Sequence, residues 1–128
     1  MTSAHVLALV VAGLHWMVPA WVPPALAQAI TEHGADGPLV VAVCAQESGL
    51  SRTGPLLCGA HGRGVGRDAL SQARVAARAF PARVGRAAWR RRLVSWRCGG
   101  DAACRVTAGP GYAARVLGLR DRLARVAP

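Results

Sequence analysis

Apolar residues recur along this chain at helical spacing, in stretches that Gly and Pro residues separate. The last stretch is the clearest, because charged residues occupy the faces beside its apolar stripe. That stripe consists of Tyr112, Val116, Leu119, Leu123 and Val126. No stretch alternates with the period of two that a half-buried strand requires. The chain of 128 residues is therefore predicted to be all-α, with one folded domain.

Residues that begin or end helices set the predicted boundaries. Asp36 and Asp68 are suited to capping helix N-termini, and Gly34 and Gly49 are suited to the left-handed conformation at helix ends. The predicted helices span about residues 23–33, 39–48, 69–80, 86–96 and 110–126. Residues 49–67 are rich in Gly and Ser and have no periodicity, so they are predicted to form a long loop.

Residues 4–22 form a nearly continuous apolar segment. Its uninterrupted part, Val6 to Leu14, is too short to span a bilayer but fits the apolar region of a signal peptide. We predict that residues 1–21 are a leader, either a signal peptide or an anchor with peripheral membrane contact, and that residues 22–128 form the domain. The protein is then exported, to the periplasm or the cell exterior. Because Met1-Thr2-Ser3 lacks positive charge, an N-terminal helix buried in the fold is the alternative.

The net charge is +10, and all 16 basic residues are Arg. A field of this size favours an anionic partner, such as nucleic acid, anionic lipid or a wall polymer. A solvated surface without a specific partner is the alternative. His33 and His61 have no partners at the spacing of metal ligands, so no metal and no cofactor is predicted.

Glu47 is the candidate catalytic residue. It shares a helix face with Val40 and Cys44, which predicts a position at the edge of the core. Partial burial and the partial negative charge of a helix C-terminus both disfavour the anion. A carboxyl group that keeps its proton can protonate a glycosidic oxygen. The alternative is a Glu at a frayed helix end that pairs with Arg, and Glu32 is predicted to be a solvated surface residue.

The four cysteines suggest two disulfides, because their number is even and the chain is small and predicted to be exported. Cys98 and Cys104 are close enough in sequence to close a small loop. Cys44 precedes Glu47 by one helical turn, so a bond to Cys58 would pin the following loop beside the acid. We favour these two pairings over the other connectivities and over free thiols in a cytosolic protein.

Four blocks of the sequence, in order, resemble the soluble lytic transglycosylase family of lysozyme-like enzymes. In the first block, residues 22–50, two helices and a Gly-containing turn lead to the Glu47-Ser48 pair. The later blocks are Ser71–Arg78, Ser95–Gly99 and Gly111–Val116. The resemblance implies a lysozyme-like helical fold, here stapled by disulfides, in which Glu47 is catalytic.

The substrate-binding candidates within these blocks are Ser48, Gln72, Trp96 and Tyr112. The two aromatic residues can stack on sugar rings, with core packing as the alternative. The sequence also departs from the family, whose Gly-Leu-Met-Gln segment is replaced by Leu56–Ala60. In the block at Ser95–Gly99, Trp96 and Arg97 stand where the family has Tyr and Asn.

The resemblance implies that a monomer binds peptidoglycan strands and cleaves the MurNAc–GlcNAc β-1,4 bond. A two-carboxylate glycosidase needs a second acid across that bond, and no other Asp or Glu lies in an obvious site. A transglycosylase needs only Glu47, which protonates the leaving oxygen and then acts as base. A non-catalytic module that binds wall polymer on the same fold is one alternative. We predict no nucleic-acid partner. An Arg-rich nucleic-acid binder, which would use Arg90-Arg91-Arg92 with Trp89 and Trp96, is an alternative ranked below the other two.

Overall fold

The computed structural model describes residues 1–13, 18–50, 56–62 and 64–126 of the chain. These residues form helices and no strand, which confirms the predicted all-α class. The helices are α1 (Ser3–Gly13), α2 (Val22–His33), α3 (Gly37–Ser48), α4 (Ala69–Ala79), α5 (Arg86–Cys98), α6 (Ala102–Val106) and α7 (Ala108–Val126), with a 3-10 turn at Ala82–Val84 before α5. Part of the predicted 49–67 loop, residues 51–55 and 63, lies outside the described residues.

Local side-chain chemistry sets most helix ends as predicted. The carboxylates of Asp36 and Asp68 accept hydrogen bonds from backbone N–H groups of the first turns of α3 and α4, at 2.9 and 3.1 Å. Gly34 and Gly49 end α2 and α3 with φ angles of 58° and 65°, a conformation that glycine adopts without a steric penalty. These contacts confirm the predicted end of α2, both ends of α3 and the start of α4.

The C-terminal third of the chain differs from the prediction in two respects. Helix α6 was not predicted, because its five residues are too few for a periodic pattern. The carboxylate of Asp101 caps it by accepting a hydrogen bond from the Cys104 N–H at 3.0 Å. On α7, Leu117 is buried, whereas Val126 of the predicted stripe is exposed, because the stripe extends beyond the helices that cover α7.

Helix α3 lies at the centre of the fold. Its residues from Leu39 to Ala45 are all buried, and a helix that is apolar on every side must be surrounded by other elements. Helices α1, α2, α4 and α7 surround it, while α2 also packs on α4 and α5 on α7. Only the last turn of α3 extends beyond this core, and that turn carries Glu47.

Helix α1 packs on α2 and α7 and buries Val6, Leu9 and Val10. A leader that is removed after export would uncover this apolar contact. The boundary at residue 21 stays a prediction, and residues 14–17 of the segment lie outside the described residues. Among the described helices, none has both the length and the apolar composition needed to cross a membrane.

Both predicted disulfide pairings are confirmed. Cys44 of α3 is bonded to Cys58 of the following loop, and Cys98 at the end of α5 is bonded to Cys104 of α6. Two disulfides are compatible with an oxidising, exported environment.

Candidate active site

Glu47 lies in the last turn of α3, where its carboxylate contacts α7. The Tyr112 hydroxyl donates a hydrogen bond to Glu47 Oε1 at 2.8 Å. Tyr112 is only 3% exposed, and α3 packs directly against α7. The packing of two helices therefore fixes the position of one carboxylate oxygen.

The environment of Tyr112 keeps its hydroxyl protonated. Burial raises the pKa of Tyr112 far above its ordinary value, and the charge of Glu47 and the hydrogen bond to it raise that pKa further. The positive charges of Arg97 and Arg115 oppose this shift without cancelling it. Tyr112 is therefore a hydrogen-bond donor to Glu47 at any ordinary pH.

The exposure of Glu47 differs from the prediction. The sequence predicts a partly buried carboxyl group, but Glu47 is exposed, although Val40 and Cys44 on the same face are fully buried. The reason is that neighbouring helices stop covering α3 one turn before its end. The predicted position at a helix C-terminus is confirmed, whereas the predicted burial is wrong.

Gly59 forms the other side of the carboxylate site. Its φ angle is +70°, and a Cβ atom at this position would lie 2.7 Å from Glu47 Oε2 and 2.8 Å from Glu47 Cδ. Real Cβ atoms do not approach other atoms so closely, so only glycine leaves room for the side chain of Glu47 in this conformation. The disulfide between Cys58 and Cys44 ties Gly59 to the helix that carries Glu47.

Gln72 of α4 holds the loop that supplies Gly59. Its Oε1 accepts hydrogen bonds from the N–H groups of Ala60 at 2.9 Å and Cys58 at 3.3 Å. Its Nε2 donates to the carbonyls of Ala60 and Gly66, both at 2.9 Å. Gln72 has no exposed surface, so the prediction of a substrate contact is corrected. It is a positioning residue for the loop backbone.

Ser48 and Trp96 also bind the backbone of this loop. The Ser48 hydroxyl lies within hydrogen-bonding distance of the carbonyls of Cys44 and Leu57. The Trp96 indole N–H donates to the Cys58 carbonyl at 3.1 Å, while its ring is half-buried against Phe80. Substrate binding by either residue stays a prediction, and the exposed part of the indole is the surface available for it.

The structure thus brings the five predicted site residues around one loop. Glu47 and Tyr112 are in direct contact, and the other three bind the loop backbone at Leu57, Cys58, Ala60 and Gly66. Sequence reasoning missed Gly59. A signal was present, because a glycine directly follows the cysteine that was predicted to pin this loop beside Glu47.

The carboxyl groups of the five other Asp and Glu residues are all bound to other partners. Glu32 pairs with Arg74, Asp121 with Arg86 and Asp36 with Arg120, while Asp68 and Asp101 cap helices. Asp36 lies at the opposite end of α3, about 16 Å from Glu47 along the helix axis. Within the described residues, no group of three or more His, Cys, Asp or Glu side chains could hold a metal ion.

Comparisons with known proteins do not place the chain in a family. A scan against protein-family models, a search of curated proteins and a search of solved structures each found no match. A functional assignment must therefore come from the chemistry of the site and from the resemblance of the sequence blocks.

Proposed function

We propose that this protein is a lysozyme-like lytic transglycosylase that cleaves the glycan strands of peptidoglycan with Glu47 as its single acid and base. The observation that carries the proposal is the 2.8 Å hydrogen bond from the Tyr112 hydroxyl to Glu47 Oε1. It joins residues 65 positions apart, one from the first block of the family resemblance and one from the last.

The two carboxylate oxygens have different surroundings, which supports separate roles. Oε1 is held by Tyr112, whereas Oε2 lies against the backbone of Gly59. In the proposed reaction, the proton on Oε2 passes to the glycosidic oxygen as the bond from that oxygen to the anomeric carbon breaks. The carboxylate then removes the proton of the C6 hydroxyl of the same sugar, whose oxygen bonds to the anomeric carbon and closes a 1,6-anhydro ring.

The arrangement of acids favours this route over hydrolysis by two carboxylates. Such hydrolases place their carboxyl groups roughly 5–10 Å apart across the scissile bond. The five other Asp and Glu side chains are bound in ion pairs and helix caps, and none of these contacts involves Glu47. Attack by the sugar's own hydroxyl needs no second carboxylate, so one Glu serves both proton transfers.

One observation favours a second candidate, a non-catalytic module that binds wall polymer. The loop containing Leu56–Ala60 replaces the segment that shapes the glycan groove in the family that the sequence resembles. In this protein, that loop is bound by a disulfide, Gln72 and Trp96. A module of this kind would bind wall material without releasing fragments.

Digestion of purified wall distinguishes the two candidates. The oxidised protein should release muropeptides with 1,6-anhydro ends, detected by mass spectrometry. Glu47→Gln should lower that release by about 10²–10⁴-fold, the usual effect of losing a general acid, with an unchanged helical circular dichroism spectrum. Glu32→Gln is the matched control and should keep full activity. Wall binding without release by the unmodified protein, or full activity of Glu47→Gln, would exclude the proposed mechanism.

A further inference from the structure

A cavity of about 410 Å³ lies between the end of α4 and the outer face of α5. It is lined by Ala79, Arg91, Arg92, Ser95 and Trp96. The four lining residues of α5 occupy adjacent turns of one helix face. The cavity therefore combines an aromatic wall with two guanidinium groups at its edge.

The positive charge of this cavity is not neutralised by the protein. The Arg92 guanidinium donates a hydrogen bond to the Ala79 carbonyl at 3.0 Å, which fixes it at the edge of the cavity. Arg91 is exposed and has no hydrogen bond or ion pair within the described residues. The six Asp and Glu side chains are all bound to partners other than Arg91 and Arg92. Two guanidinium groups that none of these carboxylates binds favour an anionic ligand.

Trp96 connects this cavity to Glu47. Its indole N–H binds the Cys58 carbonyl, and the next residue, Gly59, packs against the Glu47 carboxylate. The cavity and the carboxylate thus lie close to one two-residue segment of the loop. Trp96 thus joins the wall of the cavity to the loop segment that packs against Glu47.

We propose that this cavity binds a carboxylate of the acidic peptide that wall glycan carries as a side branch. The inference rests on the proposed function and gives its substrate class: glycan that still bears peptides, in preference to bare glycan. Arg91 and Arg92 would bind the carboxylate, because a guanidinium group matches its planar, two-oxygen geometry. The exposed part of the Trp96 indole would pack against the apolar atoms of the peptide.

Two wall substrates and one pair of variants test this inference. The rate of the oxidised full chain is measured on intact wall and on wall from which an amidase has removed the peptides. Arg91→Gln should lose about tenfold in kcat/KM on intact wall and nothing on stripped glycan. Arg90→Gln removes the same charge from an exposed neighbour that does not line the cavity, and should match the unmodified protein on both substrates. Equal losses in the two variants, or a loss by Arg91→Gln on stripped glycan as well, would overturn the proposal.

A binding measurement keeps the inference separate from catalysis. Titration of the unmodified protein with an L-Ala-γ-D-Glu dipeptide should show binding that Arg91→Gln weakens about tenfold and Arg90→Gln leaves unchanged. The dipeptide with both carboxyl groups amidated should not bind. Such binding would support the cavity as a carboxylate-binding site even if no wall were cleaved. In that case only the proposed function fails. Absence of dipeptide binding, or equally strong binding of inorganic polyphosphate, would overturn the inference while leaving the Glu47 mechanism open to its own test.

Discussion

Each of the two disulfide regions of this protein combines a disulfide with a closely packed glycine, but the two arrangements have different roles. In the first region, Cys44–Cys58 is fully buried and Gly59 packs against the Glu47 carboxylate. In the second, Cys98–Cys104 lies at a half-buried surface, and Gly109 packs against the disulfide. A Cβ atom on Gly109 would lie 2.8 Å from Val94 Cγ1 and 3.2 Å from both the Cys104 carbonyl oxygen and Cys98 Sγ.

The difference between the two regions shows that a disulfide with a neighbouring glycine can either position a reactive side chain or only join helices. The first region acts on Glu47, whereas the second lets α7 approach α5 and α6 closely. Perturbing the first region should therefore lower activity more than stability. Perturbing the second should lower stability and leave the activity of the folded protein intact.

Removal of each disulfide should have the largest effect and tests directly whether the two regions differ in role. The chain entropy of loops with sequence separations of 14 and 6 predicts losses of about 3 and about 2.4 kcal/mol in the free energy of unfolding. Denaturant unfolding of Cys44→Ala/Cys58→Ala and Cys98→Ala/Cys104→Ala measures both. Although the two losses are similar, only the first double variant should lose wall-cleaving activity, by at least about tenfold. Equal loss of activity in the two folded variants would show that the regions do not differ as described.

Substitution of Gly109 tests the second region alone. Gly109→Ala should lower the free energy of unfolding by about 1–3 kcal/mol, because a methyl group must be fitted between α5, α6 and α7. Gly118→Ala is the matched control on α7, since a Cβ there meets no described atom within 4 Å. The control should stabilise the protein by up to about 1 kcal/mol, as Ala is the better helix former. Similar behaviour of the two variants would contradict the close packing at Gly109.

Substitution of Gly59 tests the first region at the carboxylate itself. Gly59→Ala should cost about 1–2 kcal/mol for its positive φ angle and should also displace the Glu47 side chain from its place beside Tyr112. Gly49→Ala carries a similar strain, with φ of +65°, but meets no described atom within 4 Å. Both variants should lose similar stability, and only Gly59→Ala should lose wall-cleaving activity. A fully active Gly59→Ala protein would remove Gly59 from the site.

Lowering the pH should have the smallest effect on the first region. It weakens the contact between α2 and α4, and α4 is the helix that carries Gln72. Hydrogen bonds from Arg74 and then Gln28 lower the pKa of Glu32 from 4.5 to about 2, which ties α2 to α4. A lowered folded-state pKa gives stability that is present above about pH 4.5 and is lost as the pH falls through about 2. The melting temperature of Glu32→Gln should lie slightly below that of the unmodified protein at pH 6, and the gap should narrow as the pH falls towards 2. A gap that stays constant with pH would exclude this contribution.

Features with local causes were predicted from the sequence. Asp36 and Gly49 mark the ends of α3 because a cap depends on residues within one turn. The disulfide pairings followed from the closeness of Cys98 and Cys104 in sequence and from the position of Cys44 one turn before Glu47. The all-α class followed from periodicity alone. The lysozyme-like form of that class stays a proposal.

Features that depend on distant packing were not predicted. The exposure of Glu47 depends on where the neighbouring helices stop covering α3. The role of Gln72 depends on how Cys58, Ala60 and Gly66 come to lie against α4, which no local pattern specifies. Gly59 was missed for the same reason, since its contact with Glu47 joins two elements in space.

The contact between Gly59 and Glu47 also defines a fingerprint for recognising other chains that can build this site. A useful search pattern requires Cys44, the Glu47-Ser48 pair and a second cysteine followed directly by glycine, as at Cys58-Gly59. A side chain after that second cysteine would force the Glu47 side chain away from its place beside Tyr112. The glycine therefore adds a second condition to the acid in such a search.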